Sequence, residues 1–337
     1  MKISVLDQSP AKSGISPAES IRESLVLARA CETFGYHRYW LSEHHNTESV
    51  AGSAPEILIA AIAATTSRIR VGAAGIMLPH YAALKVAEQF RVLEAIAPGR
   101  IDLGLGRAPG SDGRTAFALN PNAARAADMF PSQVRDVMAW TSDAPLPAEH
   151  PFRDIICQPQ GPTAPEYWIL GSSTYGAQLA GYFGLPYCYA YFFTDGEGTE
   201  EALDAYRRSF TPSAILAAPH SAIVVAALAA DTPEEAEYWY RSRAVAWAIR
   251  GRGKFIAMPS PEEAAAFDLT DSERARMAAA REKALIGTAP EVTARLRALT
   301  LRLGVDELVI TTGTTSPAAR IKSYELFARE FQRASDF

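Results

Sequence analysis

The chain has 337 residues, 48% of them hydrophobic, and a formal net charge of −5 at pH 7. No uninterrupted apolar run is long enough to cross a bilayer, and no Lys/Arg-dense stripe offers a footprint for nucleic acid, so both partners are excluded. Cys31, Cys157 and Cys188 are isolated, lack any CxxC spacing, and read as reduced, mostly buried thiols of a cytoplasmic protein. The N-terminus opens directly on a strand, without a signal-peptide pattern.

In chain order, continuous Val/Ile/Leu/Ala/Tyr runs predict strands at 3–7, 38–42, 69–78, 101–106, 167–172, 187–192, 222–229 and 307–312. Most lack period-2 alternation, as expected of parallel strands buried on both faces. Helices between them carry start signals. Ser16-Pro17-Ala18-Glu19, Ser53-Ala54-Pro55-Glu56, Thr232-Pro233-Glu234-Glu235 and Thr288-Ala289-Pro290-Glu291 fit a capping box, and Ser316-Pro317 opens the last helix. Gly35 and Gly304 stand where left-handed C-terminal caps are expected. Eight strand–helix units argue for one closed (β/α)₈ TIM barrel spanning 1–337, with an open doubly wound sheet as the alternative. Residues 108–130 and 251–271 exceed a minimal barrel. The latter begins Gly251-Arg252-Gly253-Lys254, precedes an extra charged helix near 272–284, and is an insertion between the seventh and eighth strands that is a candidate lid. The proline-rich stretch 142–165 reads as an extended connection.

Two strand ends carry the chemistry. Tyr39-Trp40-Leu41-Ser42-Glu43-His44-His45-Asn46 ends in a Glu and two His. Gly99-Arg100-Ile101-Asp102-Leu103-Gly104-Leu105-Gly106-Arg107-Ala108-Pro109-Gly110 ends in an Arg among glycines that let backbone approach a ligand. Loops leaving parallel strands face the mouth of such folds, and a His for proton transfer with an Arg for phosphate suggests an enzyme holding a phosphorylated cofactor. Arg107 could instead pair with Asp102 or Asp112. The Glu-His-His cluster could suggest a metal, but adjacent His rarely reach one ion and no second ligand cluster presents itself, so no metal is expected.

These strings, with Asp7-Gln8-Ser9-Pro10, Val71-Gly72-Ala73-Ala74-Gly75-Ile76-Met77-Leu78-Pro79, Ala87-Glu88-Gln89, Leu170-Gly171-Ser172-Ser173 followed by Gly184-Leu185-Pro186, and Gly304-Val305-Asp306-Glu307-Leu308, resemble in their order the bacterial-luciferase-like flavin monooxygenases with a single type of subunit. The resemblance implies an oxidoreductase that uses reduced FMN and O₂ on a small organic substrate. It also implies a separate flavin reductase as transient partner, and a homodimer. It implies a non-proline cis peptide at Ala74-Gly75 beneath the flavin ring, although a tightly packed strand would explain the small residues 73–75 as well. It assigns the FMN phosphate to Arg107, Ser172, Ser173 and backbone N–H groups up to Gly176, where a strand turns into a helix. For the serines, simple helix capping coexists with that role. His44 maps to the active-site His, a proton carrier with a pKa near neutral. His45 points the other way on an extended backbone. The expected Pro after Leu78-Pro79 is missing, and His80 stands as a possible second polar group over the ring. A deazaflavin-dependent oxidoreductase of the same superfamily and a non-catalytic flavin-binding protein are the rival functions.

Overall fold

The computed structural model describes residues 1–142 and 144–333. Its strands are β1 (Lys2–Asp7), β2 (Arg38–Leu41), β3 (Arg70–Met77), β4 (Ile101–Gly106), β5 (Glu166–Gly171), β6 (Tyr187–Tyr189), β7 (Ser221–Ala230), β8 (Leu285–Thr288) and β9 (Glu307–Thr311). All pairings are parallel, and β6 pairs with β7, so that β1 to β7 and β9 close into an eight-stranded barrel. The (β/α)₈ expectation therefore holds, with the insertion between the seventh and eighth barrel strands, β7 and β9. β8 is additional and was missed. It pairs only with the outer half of β7, Ala227 to Ala230, while the inner half pairs with β9.

Alternation along each strand divides the core. Leu6, Trp40, Trp168, Cys188, Ala222, Val224 and Val309 fill the barrel interior, whereas Val5, Tyr39, Val71, Leu103, Ile223 and Ile310 pack outward against the helices. Trp40 and Trp168 meet edge to face at 5.1 Å, a contact that adds about 0.5–1.5 kcal/mol to simple burial. Small residues mark crowding between strands: a Cβ on Gly72 would lie 2.3 Å from the Asp102 carbonyl oxygen, and one on Gly104 2.2 Å from that of Ala73.

The helix signals hold in most places. Ser16 and Thr232 accept hydrogen bonds from the backbone N–H of Glu19 and Glu235, Thr288 and Glu291 form a reciprocal box, and Ser316 accepts from Ala319 N–H. Gly35 and Gly304 adopt φ of 84° and 60° as left-handed caps. Ser53 does not cap: helix Pro55–Thr65 starts one residue later, on Ala54, which has no side chain to offer its N–H groups. Residues 108–130 are not one loop but hold helices Gly113–Leu119 and Ala123–Asp128, and the predicted strand 187–192 stops at Tyr189, where Tyr191–Thr194 turns helical. Within 251–271, helix Pro261–Ala265 begins on a Ser260–Glu263 capping box, and helix Asp271–Lys283 begins on another between Thr270 and Glu273.

The N-terminal end of the barrel is closed by ions. Arg38, 2% exposed, pairs with Asp102 at 2.9 Å, Glu166 at 2.7 Å and Glu307 at 3.0 Å, and Arg70 pairs with Asp102 at 2.6 Å. The indole N–H groups of Trp40 and Trp168 donate to Asp102 and Glu166. Asp102 thus lies at the start of β4, at the opposite end of that strand from Arg107, and is no partner for it.

Candidate active site

At the C-terminal end, β2 to β5 stand side by side, so that His44 and Arg107 in the loops after β2 and β4, Ala74-Gly75 within the C-terminal half of β3, and Ser172 to Gly176 at the turn from β5 into the next helix fall on one stretch of the rim. Glu43, fully buried, organises its first part. It accepts from His45 Nε2 at 2.8 Å, the Tyr81 hydroxyl at 2.6 Å and Met77 N–H at 2.9 Å, tying the β2 loop to the end of β3. His45 N–H donates to the Gly110 carbonyl, which adds the β4 loop. His45 is thereby held in a structural bridge. His80 is held too, buried with Nε2 2.6 Å from the Pro109 carbonyl and its ring edge-on to His45 and Tyr81.

His44 differs in that, among the described residues, no hydrogen bond holds its ring. Its backbone N–H is anchored on the Gly52 carbonyl, and its buried Nδ1 has no protein partner, as is also true of His80 Nδ1. Burial pulls its imidazole below the ordinary histidine value. The Glu43 carboxylate opposes this, and His45 and Arg250 reinforce it. At neutral pH it is an uncharged imidazole with a nitrogen to spare, able to accept a proton from a bound group or return one.

The Ala74–Gly75 peptide is cis. Ala74 is half-buried at the mouth and packs against the interior cluster. A Cβ on Gly75 would lie 2.5 Å from Leu170 Cδ1 and 2.8 Å from the Gly104 oxygen, so strand packing by itself demands glycine there.

Arg107 leaves β4 exposed, and its guanidinium lies 3.9 Å over the ring of Tyr175 in the first turn of helix Thr174–Phe183. Among the described residues no carboxylate pairs with it. Asp112 instead caps helix Gly113–Leu119 and accepts from Asn46. Ser173 is the N-cap of helix Thr174–Phe183 by position, but its side chain makes no capping hydrogen bond, and Ser172 and Ser173 are both exposed. A planar cation, two uncommitted hydroxyls and the open N–H groups of a helix start form a donor set suited to a phosphate dianion. The orphaned His44 Nδ1 and this donor set both fit a phosphorylated flavin.

The other stretch of rim, the ends of β6, β7 and β9, opens on a cavity of about 500 Å³ lined by Phe192, Ala226, Thr311 and Gly313 and by Arg243 and Trp247 of helix Pro233–Ala248. Of the aromatic run 187–193, Tyr191 and Phe192 face this cavity, Tyr187 and Tyr189 are core, and Phe193 is exposed. The site residues read from the sequence, His44, Ala74, Gly75, Arg107, Ser172, Ser173 and Gly176, lie on the β2–β5 side and none of them lines it. Arg243 was missed, because Arg241-Ser242-Arg243-Ala244 reads as an ordinary helix face.

A family model described as luciferase-like monooxygenase matches residues 1–307. The Escherichia coli K12 protein named luciferase-like monooxygenase is 38% identical over 323 residues, covering 96% of this chain and 95% of that protein. The N-acetyl-S-alkylcysteine monooxygenase of Bacillus subtilis is 34% identical over 331 residues, 97% of each chain. The crystal structure of apo-MsnO8 superposes with a TM-score of 0.89 at 34% identity, covering 98% of both chains. Two structures share the fold at lower identity. One is the oxygenating constituent of 3,6-diketocamphane monooxygenase from Pseudomonas putida, in complex with FMN (TM-score 0.71, 20% identity, 98% and 97% covered), and the other an F420-dependent secondary alcohol dehydrogenase (0.66, 15%, 96% and 97%). By sequence along nearly its whole length, the chain belongs to the luciferase-like monooxygenase family.

Proposed function

We propose that this chain is an FMN-dependent monooxygenase that acts on a small organic substrate with O₂, its reduced FMN supplied by a separate flavin reductase. The observation that carries the reading is the donor set at the β4 and β5 ends: Arg107 stacked on Tyr175 beside the uncapped helix start at Ser172 and Ser173. These groups and the N–H groups up to Gly176 hold the phosphate, and Ala74 and Gly75 lie against the ring. When bound, the reduced flavin supplies the electrons with which O₂ is activated. His44, whose burial holds its imidazole below the ordinary histidine pKa and whose Nδ1 lacks a protein partner, would take up or give a proton beside a bound flavin. Phe192 and Trp247 give an organic substrate an apolar wall in the neighbouring cavity. Buried Cys31 and Cys188, neither in a disulfide, support a cytoplasmic setting, and no helix among the described residues is long and apolar enough to cross a membrane.

Titration with reduced FMN against a reduced deazaflavin, each followed by an O₂ pulse with substrate, tests the reading. Tighter FMN binding and an oxygenated product are expected. Preference for the deazaflavin makes the chain a deazaflavin-dependent oxidoreductase, and FMN retention without product makes it a flavin-binding protein. We further propose a homodimer through helices Pro55–Thr65 and Ala83–Ile96, which leave Ile57, Val92 and Ile96 exposed at 66%, 48% and 45%. Light scattering at micromolar concentration is expected to give twice the chain mass, and a monomer would remove this proposal.

A further inference from the structure

The cavity on the β6–β9 side carries an excess of positive charge that the fold does not balance. Arg243, Lys283, Arg295 and Arg302 line it, against one carboxylate, Asp195. Arg302 is committed to Glu200 outside the cavity, and Lys283 and Arg295 stand exposed at its outer end. Arg243 stands at the inner end and is half-buried. Its side chain lies beside the end of β9, where a Cβ on Gly313 would meet its Cδ and its Nη1 at 3.5 Å, an ordinary contact distance. Among the described residues no carboxylate makes an ion pair with Arg243 and no hydrogen-bond acceptor is engaged by it. Burial and the nearby charge of Arg250 both pull its proton affinity below the ordinary arginine value, while Tyr240 and Asp195 offset this only in part. Arg250 has no ion pair either, its guanidinium lying 5.6 Å from the ring of Phe255.

A half-buried arginine without a counter-ion is costly to keep unless something supplies the anion. At the N-terminal end of the barrel the same chain surrounds Arg38 with three carboxylates. Here the partner is lacking at the one place where the cavity meets the mouth. We infer that the cavity receives an organic anion, with its carboxylate held by the Arg243 guanidinium and its apolar body along Phe192 and Trp247. This rests on the monooxygenase reading and deepens it, since it names the class of substrate.

The experiment uses the whole protein and intrinsic tryptophan fluorescence, Trp247 being in the cavity wall. Matched acids and amides are titrated in: butanoate and butanamide, octanoate and octanamide, 4-phenylbutanoate and its amide. At least one acid is expected to bind about 10- to 100-fold more tightly than its amide, the range of one charge-assisted bidentate contact. Arg243→Met should abolish that preference and Arg243→Lys should retain part of it. If no acid outbinds its amide, or if Arg243→Met keeps the preference, the inference falls. Asp195→Asn provides a check that leaves Arg243 in place: removing the one lining carboxylate should tighten the acids and leave the amides unchanged, and equal effects on both would also overturn it. FMN is titrated in parallel. Should Arg243→Met lose FMN while Arg107→Ala does not, the arginine serves the flavin phosphate and the inference falls, with flavin binding intact. Should the parent bind no FMN yet prefer the acids, the flavin reading falls and the anion site stands.

Discussion

The two ends of the barrel use the same residue types for opposite purposes. At the N-terminal end, Arg38 and Arg70 are threaded among Asp102, Glu166 and Glu307, and two tryptophan N–H groups use up acceptors that remain. At the mouth, among the described residues, Arg107 and Arg243 have no carboxylate partner, Ser172 and Ser173 make no capping hydrogen bond, and His44 Nδ1 has no partner. The fold can pair buried charge, because at the N-terminal end it sets Arg38 among three carboxylates. Donors left idle at the other end are therefore informative, in line with the general division of these barrels into a stabilising bottom and a reactive top.

The sharpest way to break this contrast is Arg38→Met. It leaves buried Asp102 and Glu307 short of their cation, and a loss of about 3–5 kcal/mol of stability is expected, read as a large fall in denaturation midpoint. A midpoint within a degree or two of the parent would show that the ion cluster is not what holds that end. His44→Ala should do the reverse: near-parental stability and FMN affinity, with turnover down by roughly 10²- to 10⁴-fold and the His-range limb of the pH profile gone. Because burial lowers the His44 pKa, that limb in the parent is expected below 6.5. His45→Ala is the partner experiment. It removes a hydrogen bond to buried Glu43, so about 1–3 kcal/mol of stability should go while FMN affinity persists. If His45→Ala abolishes turnover in a folded protein and His44→Ala does not, the assignment of roles is reversed.

Arg107→Ala comes next. Arg107 is exposed and without an ion pair, so its loss should leave the denaturation midpoint alone and weaken FMN by about 10- to 100-fold. Unchanged FMN affinity removes it from the site. The last effect is graded with pH and belongs to the N-terminal end. Burial lowers the pKa of His37 to about 4, and Glu307 falls to about 2 because His220 and Arg38 outweigh the cost of its burial. As pH drops from 6.5 toward 4, the unfolded chain takes up a proton at His37 that the folded chain refuses. From 4.5 toward 2 the same happens at Glu307. Stability should therefore decline continuously between pH 6.5 and 2, and a flat stability profile across that range would show the network is not linked to folding.

Much of this was legible in the sequence because it is written locally. Strand runs, proline-bearing helix starts and the glycine caps each span a few residues; Arg107 was singled out because strand-end loops have a known place in a parallel barrel, and Ser172 and Ser173 because the family resemblance sets the phosphate there. What failed was either too short or too distant. β8 has four residues between a charged helix and a capping box, which is little for a periodicity to act on. The ion cluster joins Arg38, Asp102, Glu166 and Glu307, and in the sequence each stands at a strand start like any solvated charge. Ser53 failed for a different reason: the capping pattern was present, but the chain entered its helix one residue later. Arg243 gave no signal at all, since an unpaired charge is defined by partners that only the fold can place or withhold.

The insertion is fastened at its midpoint. Met258 N–H donates to the Ala11 carbonyl at 2.8 Å, Ser13 N–H donates back to Met258 at 2.9 Å, and the Ser13 hydroxyl reaches Glu263 at 2.8 Å. A segment buttoned to the first loop in this way acts as a strap while the fastening holds. To swing as one piece it must first break these bonds, and the short spans on either side of the button are not tied by them. Amide exchange makes the distinction measurable: Ser13 and Met258 should exchange slowly and together, as two faces of one fastening, whatever the spans beside them do.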